Sequence, residues 1–130
     1  MRFKAEIGEW VKASSYIEET LSNASISPAV LTAFLLSGEE LFVNVASYAY
    51  KEKEGFCDLD LIIETDKVIM SISDNGQKFD PFEKKDPNIN VPLEERNIGG
   101  LGIFMVKKLM DEVSYKYENN QNIVVVSKKL

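Results

Sequence analysis

The stretch "SGEELFVNVASYAY", residues 37–50, sets Glu40, Asn44 and Tyr48 four residues apart in an otherwise apolar run. Side chains at i, i+4 and i+8 of an α-helix lie nearly above one another, so these three form one polar stripe. A half-buried helix always has a wet side, and that alone accounts for a Glu and an Asn. Two other stretches, "DNGQKFDP" from Asp74 and "GGLG" from Gly99, give the stripe something to work with. A carboxylate at a strand end, as Asp74 would be, accepts from the exocyclic amine of adenine and repels the carbonyl oxygen that guanine presents there. Gly76, two residues on, lets the backbone pass close to a flat ring where any Cβ would clash. Gly99, Gly100 and Gly102 allow a tight turn and expose the N–H groups of a helix start, a site for phosphates. Asn44 offers a neutral amide oxygen, a hard ligand for a Mg²⁺ otherwise held by phosphates and water, and Glu40 would stand beside it as a base. Singly, D-N-G is an ordinary turn and a glycine cluster before a helix an ordinary connection. Their joint order is what points to nucleotide chemistry.

Other chemistries are excluded by what the chain lacks. It contains no histidine, which removes Ser-His and Cys-His nucleophiles, imidazole metal sites and a phosphohistidine formed within the chain. One cysteine, Cys57, forms neither an internal disulfide nor a Cys-rich metal site and reads as a packed strand residue. There is no G-x-x-x-x-G-K-[ST] loop, and the glycines follow a long loop instead of opening the first βαβ unit, as a dinucleotide fold requires.

The elements that must position these residues follow from periodicity. A strand is expected near residues 2–6, then a helix from Glu9 to Asn23 with Trp10, Ala13, Ile17 and Leu21 on one face. Ser27 is an N-cap and Pro28 a first helical residue for a second helix running to about Lys51. "CDLDLIIET" and "KVIMSISD" alternate as a hairpin turning at Thr65–Lys67. Residues 75–98 carry Pro81, Pro87 and Pro92 with no period, a length that suits a lid over a ligand. A third helix begins near Leu101, burying Ile103, Val106, Leu109 and Met110, and two strands close the chain around Asn119–Gln121. This order predicts a two-layer α/β sandwich: a mixed sheet with helices on one face.

With 130 residues, 45% hydrophobic and 28% charged, the sequence reads as one globular domain, residues 1–130. A net charge of −6 gives no field toward nucleic acid or anionic lipid, so a protein partner or a small ligand is expected. The opening "MRFKAEIGEW" lacks the apolar core of a secretory signal, and no apolar run is read as approaching the ~20 residues of a bilayer span. The expected location is cytoplasmic.

"EELFVNVASYAY", "DNGQKFDP" and "ERNIGGLGIFMVKKLMDEVSY" resemble the N-box, first glycine box and second glycine box of the GHKL ATP-binding superfamily. Within it they are similar to the partner-switching anti-sigma-factor serine/threonine kinases. The resemblance implies a Bergerat fold binding ATP and Mg²⁺ between the N-box helix and a lid at about 82–98. It also implies two partners: a sigma factor, and a STAS-fold anti-anti-sigma protein whose Ser or Thr is phosphorylated. Residue by residue, Glu40 matches the acid that serves as base, Asn44 the Mg²⁺ ligand and Asp74 the adenine-reading acid. Gly76, Gly99, Gly100, Leu101 and Gly102 fall in the glycine boxes, and Phe79 and Pro81 in the F-D-P that follows the first. Arg96, just before the second box, is the cation placed to meet phosphate, with Lys84 and Lys85 further back. Tyr48-Ala49-Tyr50 stands where many relatives have His-Ala-Tyr, and Lys78 where the first box often has a second glycine. Relatives are dimers, and Trp10 and Tyr16 are apolar residues suited to such an interface or to the core. A sensor histidine kinase or a gyrase-like ATPase would need a further domain, for which 130 residues leave no room. A non-catalytic ATP-binding regulator of the same fold is the alternative.

Overall fold

The computed structural model describes residues 1–51, 53–83 and 101–130, and within them five strands form one sheet against three helices. In chain order these are β1 (Arg2–Lys4), α1 (Trp10–Asn23), α2 (Pro28–Asn44), β2 (Phe56–Ile63), β3 (Lys67–Asp74), α3 (Leu101–Leu109), β4 (Glu112–Glu118) and β5 (Gln121–Lys129). A single 3₁₀ turn, Ile7–Glu9, leads into α1. The strand order is β1-β2-β3-β5-β4.

The two-layer α/β sandwich expected from the sequence is present, but the sheet is antiparallel at every pairing instead of mixed. Two features of the chain path account for this. Between β1 and β2 the chain runs through two helices, and the second reverses the direction that one crossover helix would have kept. β3 and β4, joined through α3, do run the same way, yet β5 lies between them and pairs antiparallel with both.

Alternation in the strand sequences sets which face is dry. Along β3, Val68, Met70, Ile72 and Asp74 are buried while the residues between them are half-exposed. In register beside them stand Leu59 opposite Ile72 on β2, and Val126 and Val124 opposite Met70 and Ile72 on β5. These side chains join Phe34, Leu41 and Phe42 of α2 and Ala13, Ile17 and Leu21 of α1 in one core. The expected face of α1 is thus the buried one. Trp10 and Tyr16, singled out for an interface or the core, pack with ring centroids 5.7 Å from Phe42 and 6.2 Å from Phe3.

The central helix α2 touches α1, α3 and β3, and so is apolar on most of its faces. Its start is the expected one: Ser27 caps with its Oγ accepting from the Val30 N–H, and Pro28 follows. Its end is not. The α-helix stops at Asn44 and continues as a π-helical turn over Val45–Ala49. The sequence reading of no bilayer-length apolar run is also corrected, because Pro28–Ala49 forms 22 continuous helical residues apolar enough to meet that length. The reason lies in its central position, which places apolar residues on almost every side, among them the fully buried Phe34 and Phe42.

Candidate functional site

Asp74 ends β3 on the core face at 4% exposure, the expected place for a carboxylate that reads a ligand at a strand end. Its Oδ1 accepts from the Gly76 N–H at 2.9 Å and from Asn122 Nδ2 at 3.0 Å. Oδ2 takes no bond from the described residues. Burial pushes the Asp74 carboxyl above its ordinary value, against the opposing pull of those two donors. An acceptor oxygen that the described residues leave without a donor, on the wall of a cleft, suits a ligand that brings one.

The loop after Asp74 is held by the end of α2. In a π-helical turn the i→i+5 spacing offsets the carbonyls from the α-helical ladder. Here Ala49 O accepts from the Gln77 N–H at 2.9 Å, and Tyr48 O from Gln77 Nε2 at 3.0 Å. Gly76 lies beneath that latch, where a Cβ would come within 2.6 Å of the Ala49 carbonyl carbon. Its glycine is thus required for space, with no left-handed φ involved. The π turn also ends the regular stripe. Tyr48 is exposed at the mouth of the cleft, its ring 6.5 Å from that of Phe79. Tyr50 turns inward, its hydroxyl 2.6 Å from the Phe56 carbonyl oxygen and accepting from the Asn75 N–H at 3.1 Å.

Between these walls lies a small, partly open cleft. Leu41, Val45, Ile72 and Val124 make it apolar, while Asn44, Asp74, Gln77 and Asn122 supply polar groups. Phe79 and Pro81 line it as well. Glu40, one turn before Asn44, is half-buried and meets the start of α3: a Cβ on Gly102 would come within 2.6 Å of the Glu40 carboxyl carbon. Desolvation, then the neighbouring charge of Glu39, raises the Glu40 carboxyl above its ordinary value. Leu101 is the first residue of α3 and half-buried. Of the residues singled out in the sequence, the structure therefore gathers Asn44, Asp74 and Phe79 around one cleft, packs Gly76 against Ala49 beside it, and sets Glu40 against Gly102. Arg96, Gly99 and Gly100, with Lys84, Lys85 and most of the expected lid, lie outside the described residues.

One residue the sequence did not single out is central. Asn122 on β5 stands directly opposite Asp74 in register and uses its whole amide. Nδ2 donates to Asp74 Oδ1 and, at 2.8 Å, to the Gln77 carbonyl. Oδ1 accepts from the Phe79 N–H at 3.0 Å and the Tyr115 hydroxyl at 2.6 Å. The available signal was its phase: in "NIVVVSKK" Asn122 shares the core-facing alternation of Val124 and Val126.

Comparison with known proteins gives the family. Among curated proteins, the chain is similar to Serine-protein kinase RsbW of Listeria monocytogenes serovar 1/2a, 29% identical over 109 residues, 80% of this chain and 69% of the relative. It is 37% identical over 95 residues to the protein of that name from Staphylococcus aureus, 65% of this chain and 57% of the relative. A family model described as the histidine kinase-like ATPase domain matches residues 3–128. Since that match runs from the middle of β1 to the next-to-last residue of β5, it takes in every described helix whole and all or most of every described strand, and the chain belongs to the histidine kinase-like ATPase domain family.

Proposed function

We propose that the chain is a single ATP-binding domain acting as an anti-sigma regulatory serine/threonine kinase. It binds Mg-ATP, phosphorylates a STAS-type anti-anti-sigma partner, and sequesters a sigma factor in the alternative complex. Family membership implies ATP binding, and the likeness to proteins named serine-protein kinases supports transfer to a hydroxyl. The observation that carries the reading is Asp74, on the wall of the cleft with one oxygen bonded and the other left for a donor. The net charge of −6 suits protein partners in the cytoplasm better than nucleic acid or an anionic membrane.

In the reaction, the partner's hydroxyl oxygen bonds to the γ-phosphorus, the bridging P–O bond breaks, and ADP leaves with that electron pair. Glu40 takes the hydroxyl proton on its carboxylate and orients the attacking oxygen. Its raised basicity suits that task, since burial leaves the ionised form poorly solvated. The amide oxygen of Asn44, one turn on and lining the cleft, fits a hard cation that takes most of its ligands from phosphate and water. When bound, Mg²⁺ would neutralise phosphate charge there. Phosphate oxygens would meet the N-terminus of α3 at Leu101 and Gly102, with Gly99, Gly100 and Arg96 as the adjoining donors.

The test is calorimetry with ATP, ADP and GTP, then transfer from radiolabelled ATP to STAS proteins of the same genome. ATP and ADP should exceed GTP by on the order of 2 to 5 kcal/mol, since guanine sets a carbonyl against the buried carboxylate. Equal ATP and GTP affinities would overturn the role of Asp74. Binding of Mg-ATP with no transfer to any STAS protein would leave the non-catalytic regulator.

A further inference from the structure

Four strong hydrogen bonds converge on Asn122, and one comes from a side chain outside the cleft. Tyr115 sits on β4 opposite Val124, and its ring reaches diagonally along the sheet so that its hydroxyl donates to Asn122 Oδ1 at 2.6 Å. An amide has two donor hydrogens and two acceptor lone pairs, and here all four are used. Turning the amide over would set its oxygen against both the Asp74 carboxylate and the Gln77 carbonyl, and its NH₂ against the Phe79 N–H. The native orientation is thus the one that charge and backbone both demand.

We propose that Tyr115 and Asn122 form a positioning pair for Asp74. The Tyr115 hydroxyl polarises and anchors the Asn122 amide, whose Nδ2 holds Asp74 Oδ1 and leaves Oδ2 for the ligand. The same amide seats the backbone of Gln77 and Phe79, so the base-reading carboxylate and the loop beside it are set by one side chain. Because hydrogen bonds in a chain strengthen one another, donation into Oδ1 makes Nδ2 a better donor to Asp74. This proposal rests on the reading of Asp74 as the group that recognises the base.

Three other titratable groups that feel the Asp74 charge stay neutral through the acidic range. Burial raises Cys57 on β2, Tyr50 beyond α2 and Tyr115 itself, so all three stay neutral while Asp74 titrates. The charges of Asp80, Asp74 and Tyr117 raise Tyr115 further.

The test reads Asp74 directly, by NMR pH titration of its side-chain carboxyl in the ligand-free protein, alongside calorimetric ATP affinity as a function of pH. Asn122→Ala should raise the Asp74 midpoint, and Tyr115→Phe should raise it by less in the same direction. ATP affinity at neutral pH should fall roughly 3- to 10-fold in Tyr115→Phe, the worth of one hydrogen bond. Its acid limb should move to higher pH with the midpoint. The double variant should shift the midpoint by less than the sum of the two. A Tyr115→Phe protein that melts lower but keeps the wild-type midpoint would overturn the pair, making Tyr115 a packing residue. Midpoints that move as stated in a protein that binds neither ATP nor ADP would support the pair and defeat the base-recognition reading instead.

Discussion

Glu40 and Asp74 carry the same functional group, and burial raises both, yet the consequences differ because one is to accept a proton and the other must stay ionised. For Glu40 the raised value strengthens a base and sets the pH below which it is lost. Phosphotransfer should therefore fall as pH drops through the Glu40 value and be level above it. Glu40→Gln keeps size and hydrogen bonding, so transfer should slow by roughly 10²- to 10⁴-fold while calorimetric ATP affinity stays close to wild type. A wild-type rate in that variant would return Glu40 to the wet side of an ordinary helix. For Asp74 the raised value bears on stability instead of rate. Its folded-state value lies above the unfolded one, so between the two the folded protein binds the proton more tightly. Stability thus falls as pH rises through that window, and the cost persists above it. Asp74→Asn removes the cost. Without ligand the variant should melt at or above wild type at pH 7, with the gap closing as the pH is lowered, while adenine binding is lost. Scanning calorimetry across pH checks this, and a variant that melts well below wild type at every pH would refute it.

The π-helical turn at the end of α2 is the element on which the site's geometry turns. Its carbonyls at Tyr48 and Ala49 hold Gln77, and Gly76 fills the contact between them and the strand end. Gly76→Ala forces a Cβ into the Ala49 backbone, and overpacking of this kind costs about 1–3 kcal/mol. Urea unfolding should show a lower midpoint at unchanged slope, together with weaker nucleotide binding. Much at this scale was legible in the sequence. Alternation in "KVIMSISD" fixed the dry face of β3, the Ser27–Pro28 pair fixed where α2 starts, and two asparagines, Asn119 and Asn120, take the left-handed conformation of the β4–β5 turn. The π turn was not, because an apolar run to Ala49 has the same composition whichever helical ladder it closes. Asn122 was hidden for a different reason. Set next to "ENNQ" it reads as turn chemistry, and only its register with Asp74, a relation between residues 48 positions apart, reveals a buried partner.

At the scale of the molecule, site and core are one structure. Asp74 and Asn122 are the polar end of the cross-strand rows whose apolar part is Leu59–Ile72–Val124 and Leu61–Met70–Val126. Met70, fully buried, is the middle of the second row. Met70→Ala should cost about 2–5 kcal/mol, read as the shift in urea midpoint multiplied by the slope. A loss below 0.5 kcal/mol would mean that the sheet relaxes around the gap far more freely than close packing allows. The insertion of β5 between β3 and β4 bears, finally, on how the molecule comes to exist. β3 and β4 share no ladder with each other, and β5, paired to both, is what joins them, its pairing with β3 spanning 48 positions at Asp74–Asn122. Contacts that span such long loops are slow to form, because the entropy of closing the loop is lost before the pairing compensates for it. The carboxylate that would read the ligand gains its amide partner only in that step. Assembly of the recognition pair and closure of the β3–β5 ladder are thus the same event, so opening that ladder would take from Asp74 the amide that holds it.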